Sequence, residues 1–225
     1  MPSYFDLLIT RQVQLERLKS GASVVYLREL KKFESLLRLR FSELDEDAQE
    51  LSRTKLEALI SQVQKDQAAV IAAANKTQAK TDADTAQLYQ VQEKLDLRAT
   101  TNVPLAGLAT LRKGELIENI LKTPLSVNGQ LLEPIVKNFT ATEIQRVSGA
   151  IRKGATEGQT NTQIVRSIIG TKKNNYRDGV LQTTRRNAAA VVNTSMQHAA
   201  SGARHQFFEK NSETVKRYEW VSTLD

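Results

Sequence analysis

Apolar side chains recur at intervals of three, four and seven through much of this chain, and that rhythm constrains the fold more than any other feature. Leu27, Leu30, Leu37, Phe41 and Leu44 follow it, and so do Leu56, Leu59, Val63 and Val70. Such spacing lays a narrow apolar stripe along a helix, with charged flanks on either side, the pattern of antiparallel helices or a coiled coil. Four helices are expected in residues 1–99. Ser3 caps the first, which carries Leu7, Leu8, Val13, Leu15 and Leu18 and stops at Gly21. The second carries the Leu27–Leu44 stripe, and Asp45-Glu46-Asp47 starts the third. Leu88, Val91 and Leu95 mark a looser fourth, after a polar stretch, Asn75–Asp84, that reads as a hairpin tip or disordered link.

The second half is punctuated differently. Thr100–Pro104 reads as a linker, and Pro124 with Asn128-Gly129 marks a turn-rich connector. Thr140-Ala-Thr-Glu143 has the spacing of a capping box and precedes Ile144, Val147 and Ile151. Thr160-Asn-Thr-Gln163 repeats that signal before Ile164, Val165, Ile168 and Ile169, with Gly170 as the stop. A long helix is expected from about Thr183 to about Lys210. Its thin face is made of Ala188, Val191, Val192, Ser195, Ala199, Ala203 and Phe207, small enough for close helix approach. Val215–Val221 is a strand candidate, with Tyr218 and Trp220 on one face. A lone strand leaves backbone groups unpaired, so a partner for it is required. Trp220 either anchors the strand on the long helix or meets a partner subunit.

The fold class expected is therefore mainly α. Residues 1–99 form an elongated antiparallel helical arm, and residues 100–225 a compact helical module with a small C-terminal β element. The 225 residues, 40% hydrophobic but only 5% aromatic, suit helices packed through Leu, Val, Ile and Ala. With no cysteine, disulfide scaffolds and thiolate metal sites are excluded within the span. No apolar run approaches the ~18–20 residues of a membrane span, and the N-terminus does not read as a signal peptide.

Charge separates the halves. Residues 1–99 hold fifteen Lys and Arg against fifteen Asp and Glu, whereas residues 100–225 hold seventeen against ten. The whole excess of +7 falls within residues 146–186, where Arg146, Arg152, Lys153, Arg166, Lys172, Lys173, Arg177, Arg185 and Arg186 face only Glu157 and Asp178. A cluster of this kind is the electrostatic footprint of a polyanion or an acidic partner. Lys172, Lys173 and Arg177 flank Tyr176 in the loop Thr171–Asp178, and Arg185 and Arg186 open the next helix. Lysines and arginines follow a phosphate backbone without reading sequence, and a tyrosine can stack on a base. Contact with an acidic protein surface, or plain solvation with some pairing to carboxylates of the neutral half, are the other two readings.

Catalytic and metal chemistry find no purchase. His198 and His205 are seven apart on one helix, too far to share one zinc without ligands from elsewhere, and read as structural. No Ser–His–Asp order, Cys–His pair or GxxxxGK[ST] loop occurs, and Glu115 and Glu118 read as helix-surface carboxylates. No cofactor, metal site, small-molecule substrate or enzymatic activity is expected.

The block T-R-R-N-A from Thr184 to Ala188, the small-residue helix around Asn193-Thr194-Ser195, and Tyr218-Glu219-Trp220-Val221-Ser222-Thr223-Leu224-Asp225 resemble the phage Mu F-like family of minor head, or head morphogenesis, proteins. The resemblance covers roughly residues 125–225, and more loosely the opening YFDLLITRQVQLERLK. In that family an aromatic strand leads into a Thr-x-Asp turn, and the pattern runs on through Arg-Thr and cysteine-containing residues to a glycine. The chain lacks that continuation, so the resemblance implies that the natural polypeptide extends past Asp225 with a return strand. It further implies a virion protein of few copies, assembled in the host cytoplasm and located in the head near the portal vertex. There it acts in head assembly and DNA packaging or exit, performs no chemistry, touches portal or other head proteins, and turns its basic surface to packaged double-stranded DNA. Two other readings stay open: a DNA-binding internal or ejection protein, and a targeting module of a longer chain with an enzymatic domain after Asp225.

Overall fold

The computed structural model describes residues 3–101, 104–125 and 128–215. Among them the chain is mainly α and contains no strand. Six helices follow one another: α1 Tyr4–Ser42, α2 Arg53–Thr100, α3 Lys113–Lys122, α4 Leu132–Thr156, α5 Asn161–Ile169 and α6 Val180–Lys210. The expected strand at Val215–Val221 and the burial of Trp220 fall, apart from Val215, outside the described residues.

Where four helices were expected in the first hundred residues, there are two. Ser3 begins α1 as foreseen: its hydroxyl accepts the Asp6 N–H at 3.2 Å, and the Asp6 carboxylate accepts the Ser3 N–H at 2.8 Å. Gly21, however, does not end the helix. A glycine stop requires the left-handed conformation, which Gly21 does not adopt. The apolar stripe also continues across it, through buried Leu15, Ala22, Tyr26, Leu30, Phe33, Leu37 and Phe41. Asp45–Asp47 does not start a helix. It forms a turn that grips the beginning of α5, with the Asn161 N–H donating to Asp47 Oδ1 and the Ala48 N–H donating to Asn161 Oδ1, each at 2.8 Å. The start of α2 falls instead after Ser52, whose hydroxyl accepts the Lys55 N–H at 3.4 Å.

Asn75–Asp84 is neither tip nor link; it lies inside α2. No Gly or Pro interrupts residues 53–100, and the small polar side chains satisfy themselves without leaving the helix. Thr77 donates back to the Ala73 carbonyl at 3.1 Å, and Asn75 Oδ1 accepts the Tyr26 hydroxyl at 2.6 Å.

Two compact units emerge, and each takes residues from both sides of position 99. The first comprises the described parts of 1–19, 80–131 and 194–225. Its core joins Leu15, Tyr89, Leu111, Leu116, Ile120, Ala199 and Ala203, with a second cluster of Leu97, Leu108, Phe207 and Phe208 covered in part by Tyr4 and Val215. The small-residue face expected of α6 is what is buried: Ala199, Ala203 and Phe207 here, Ala188 and Val192 in the other unit. Gly202 extends it, because a Cβ there would stand 2.9 Å from Ile120 Cγ1. Asn211 ends α6 by hydrogen bonding both backbone groups of Ala109 at 2.8 Å. His198 is structural, its Nε2 3.0 Å from the Ile120 carbonyl, whereas His205 is exposed beside Glu209. Burial pushes the Glu93 carboxyl above its ordinary range, against the pull of Arg204 at 2.9 Å.

The second unit comprises residues 20–79 and 132–193. Tyr26, Leu37, Ile60, Ile71, Ile151, Ile164, Ile168 and Ile169 are its largest fully enclosed side chains. The capping box expected at Thr140–Glu143 is not one. The helix begins at Leu132, eight residues earlier than Thr140, so Glu143 lies in the interior of α4 and is fully buried. The second expected box is present: Thr160 and Gln163 cap each other at the start of α5, and Gly170, with φ 94°, closes it. Asn128-Gly129 forms the expected turn before α4, with Gly129 at φ 67°.

Candidate functional site

Two structures in the second unit come from the segment rich in basic residues: a buried polar lock and an exposed loop. The lock is centred on Glu143. Thr184 Oγ1 donates to its Oε2 at 2.6 Å, Asn187 Nδ2 donates to its Oε1 at 2.7 Å, and Arg146 Nη1 lies 3.1 and 3.2 Å from the two oxygens. Its main-chain carbonyl accepts Gln67 Nε2 at 3.1 Å. A buried carboxylate is tolerable only when its lone pairs are met this fully. The T-R-R-N-A block thus contributes two of the hydroxyl and amide donors that hold α6 to α4, through Thr184 and Asn187. Arg185, between them, pairs with Glu34 of α1 and donates to the Tyr176 carbonyl at 3.2 Å. Thr184, Arg185, Asn187 and the buried Ala188 are therefore held by the fold, and of the block only Arg186 is exposed.

The loop runs between α5 and α6. Asp178 closes it, accepting the Thr171 N–H and the Thr171 hydroxyl at 2.7 Å each and Asn174 Nδ2 at 2.8 Å. These bonds, the Thr171 N–H first among them, hold the Asp178 carboxyl down to about 2. The base of the loop leaves no room for side chains: a Cβ on Gly179 would lie 2.2 Å from the Gly170 nitrogen. At the tip, Asn175 and Tyr176 take φ of 50° and 58°, the left-handed region that a bulky residue occupies only when its surroundings impose it. The Tyr176 N–H donates to the Thr171 carbonyl at 2.8 Å, which fixes that turn. Lys172, Lys173, Tyr176 and Arg177 are consequently displayed, exposed, on a backbone that hydrogen bonds itself shut.

The structure sorts the expected basic residues into two groups. Arg152 forms a forked pair with Glu57 at 3.0 and 3.2 Å, Lys153 lies 3.7 Å from Glu157, and Arg185 is held by Glu34. Arg166, Lys172, Lys173, Arg177 and Arg186 are exposed and have no carboxylate partner among the described residues. Arg38, from the neutral first half, joins this second group. It lines, with Arg166, Gly170, Thr171, Lys172 and Tyr176, an open hollow of about 360 Å³. Nothing around Arg38 in sequence marks it, since it sits among alternating Leu and Arg on an ordinary helix face and is 128 positions from Arg166.

Among the described residues no group of three or more His, Asp or Glu side chains is placed to hold a metal ion. No helix among them is long and apolar enough to cross a membrane. The fold and site define a mainly α protein that presents unpaired cations around one aromatic ring on a closed loop. Comparisons with family models, curated proteins and solved structures find no match for the chain.

Proposed function

We propose that this chain is a minor structural component of a phage head, of the Mu F-like kind, that acts near the portal in head assembly and DNA packaging or exit. In this reading it belongs to the virion, performs no chemistry, docks to portal or other head proteins, and contacts packaged double-stranded DNA through its basic loop. The observation that carries the DNA contact is the self-closed loop 171–178. It holds Lys172, Lys173 and Arg177 exposed around Tyr176 without carboxylate partners among the described residues. A duplex needs this kind of surface: fixed cations that position phosphates, with no requirement for base-edge readout. The sequence resemblance at Thr184–Ala188 and Tyr218–Asp225 supplies the phage-head setting.

Binding to duplexes of unrelated sequence is the test. The reading predicts equal affinity for all of them and a steep loss of affinity with salt, on the order of 0.9 in log–log slope per neutralised phosphate. Replacing Lys172, Lys173 and Arg177 by Gln should flatten the slope by about 2.7 in total. Binding that is absent, sequence-selective or unchanged in the triple variant overturns the DNA contact. Immunogold labelling of intact virions at one vertex tests the location separately.

A further inference from the structure

Resting on that DNA reading, we propose that Arg38, Arg166 and Lys172 form a seat for a single phosphate group, which anchors one backbone phosphate of a bound duplex. The three cations come from α1, the last turn of α5 and the loop start, and they line one hollow of about 360 Å³. All three are exposed, and none has a carboxylate partner among the described residues. Three like charges lining one hollow repel each other, and an anion bound among them offsets that repulsion.

The charge of the lining favours a phosphate. Two backbone donors at the rim are already engaged, the Gly170 N–H with the Arg166 carbonyl at 2.7 Å and the Thr171 N–H with Asp178 at 2.7 Å. The Thr171 hydroxyl is spent on Asp178 too. The charged groups that line the hollow, two guanidiniums and one ammonium, are donors only and suit a ligand that is all acceptor, as a phosphate is, with the Tyr176 hydroxyl beside them. Guanidinium forks match the oxygens of a tetrahedral phosphate in pairs. The Asp178 carboxylate is turned into the loop and does not line the hollow.

The seat is tested in the full chain with two probes, a random-sequence 20-base-pair duplex and inorganic phosphate. Arg28→Gln is the control, since Arg28 is an exposed arginine of the same helix that does not line the hollow. Arg38→Gln should flatten the duplex salt slope by about 0.9, and Arg28→Gln should leave it unchanged. Inorganic phosphate should shift the amide resonances of Gly170 and Thr171 in the wild type and in R28Q, but not in R38Q. If the duplex binds and R38Q behaves as R28Q does, the seat is wrong while the DNA contact stands. If no duplex binds but phosphate shifts those amides in an Arg38-dependent way, the seat serves a free phosphate group and the DNA reading falls. If neither probe responds, both fail. Exposure of Arg38 makes misfolding an unsuitable excuse, and unchanged circular dichroism of R38Q checks it.

Discussion

Two carboxylates, thirty-five positions apart, show how differently the same functional group is used. Glu143 is fully buried and spends both oxygens on Thr184, Asn187 and Arg146. Truncating a donor leaves an enclosed acceptor short of a partner, so Asn187→Ala should destabilise the fold by about 1–3 kcal/mol in urea unfolding. A loss near zero would mean that the α4–α6 contact does not depend on the lock. Asp178 is exposed and holds a loop instead. Its folded value, about 2, lies below the ordinary ~3.9 of an unfolded aspartate. A depressed carboxyl contributes in full above the unfolded value and is lost as the pH falls through the folded one. Loop closure should therefore be constant above about pH 4 and fail toward about pH 2. Hydrogen exchange of the Thr171 amide reads this, and Asp178→Ala should accelerate that exchange at neutral pH. An exchange rate unchanged by D178A would show that the loop is held closed by other contacts.

At the scale of elements, glycine decides several boundaries, and its role is local geometry that sequence spacing does not reveal. Gly21 stands exposed in the interior of α1 with nothing within 4 Å of where a Cβ would be. Gly21→Ala should raise stability by about 0.5–1 kcal/mol, the helical cost of glycine relative to alanine. A loss on substitution would show that α1 breaks there after all. Gly179→Ala should do the opposite, because the added methyl would meet the Gly170 backbone at 2.2 Å. The helical class and the burial of the α6 small-residue face were legible because both follow from periodicity alone. The Thr160–Gln163 box and the Gly170 stop were legible because caps are local. Gly21, the Asn75–Asp84 stretch and Thr140–Glu143 misled for a common reason. Each carries a local signal for a break or a cap, and each is overruled by partners far along the chain: the continuous stripe of α1, Tyr26 on Asn75, and Thr184 with Asn187 on Glu143. The candidate loop was visible as a charge cluster. Arg38 was not, since only folding brings it beside Arg166 and Lys172.

For the molecule as a whole, the charge count of the sequence overstates what is free to meet a polyanion. Of the nine basic residues in 146–186, Arg146, Arg152, Lys153 and Arg185 already face carboxylates. Two of those carboxylates, Glu34 and Glu57, belong to the half of the chain whose net charge is zero. The pairs differ in strength. Arg152 and Glu57 are about half exposed, so their pair is a weak surface one that a phosphate can compete for. Arg185 and Glu34 retain only 27% and 14% of their side-chain exposure, and Arg185 also reaches the Tyr176 carbonyl. Arg185 should thus act on stability and Lys173 on binding. Arg185→Gln leaves an enclosed Glu34 without its charge partner and should cost about 1–3 kcal/mol of folding stability, with little change in the salt slope for duplex DNA. Lys173→Gln should flatten that slope by about 0.9 and leave the unfolding midpoint where it was. Urea unfolding and a salt series of duplex titrations on the two variants give a crossed result if this division holds. If R185Q flattens the slope as much as K173Q, then Glu34 yields its arginine to the phosphate, and Arg185 joins Arg186 in the free basic surface.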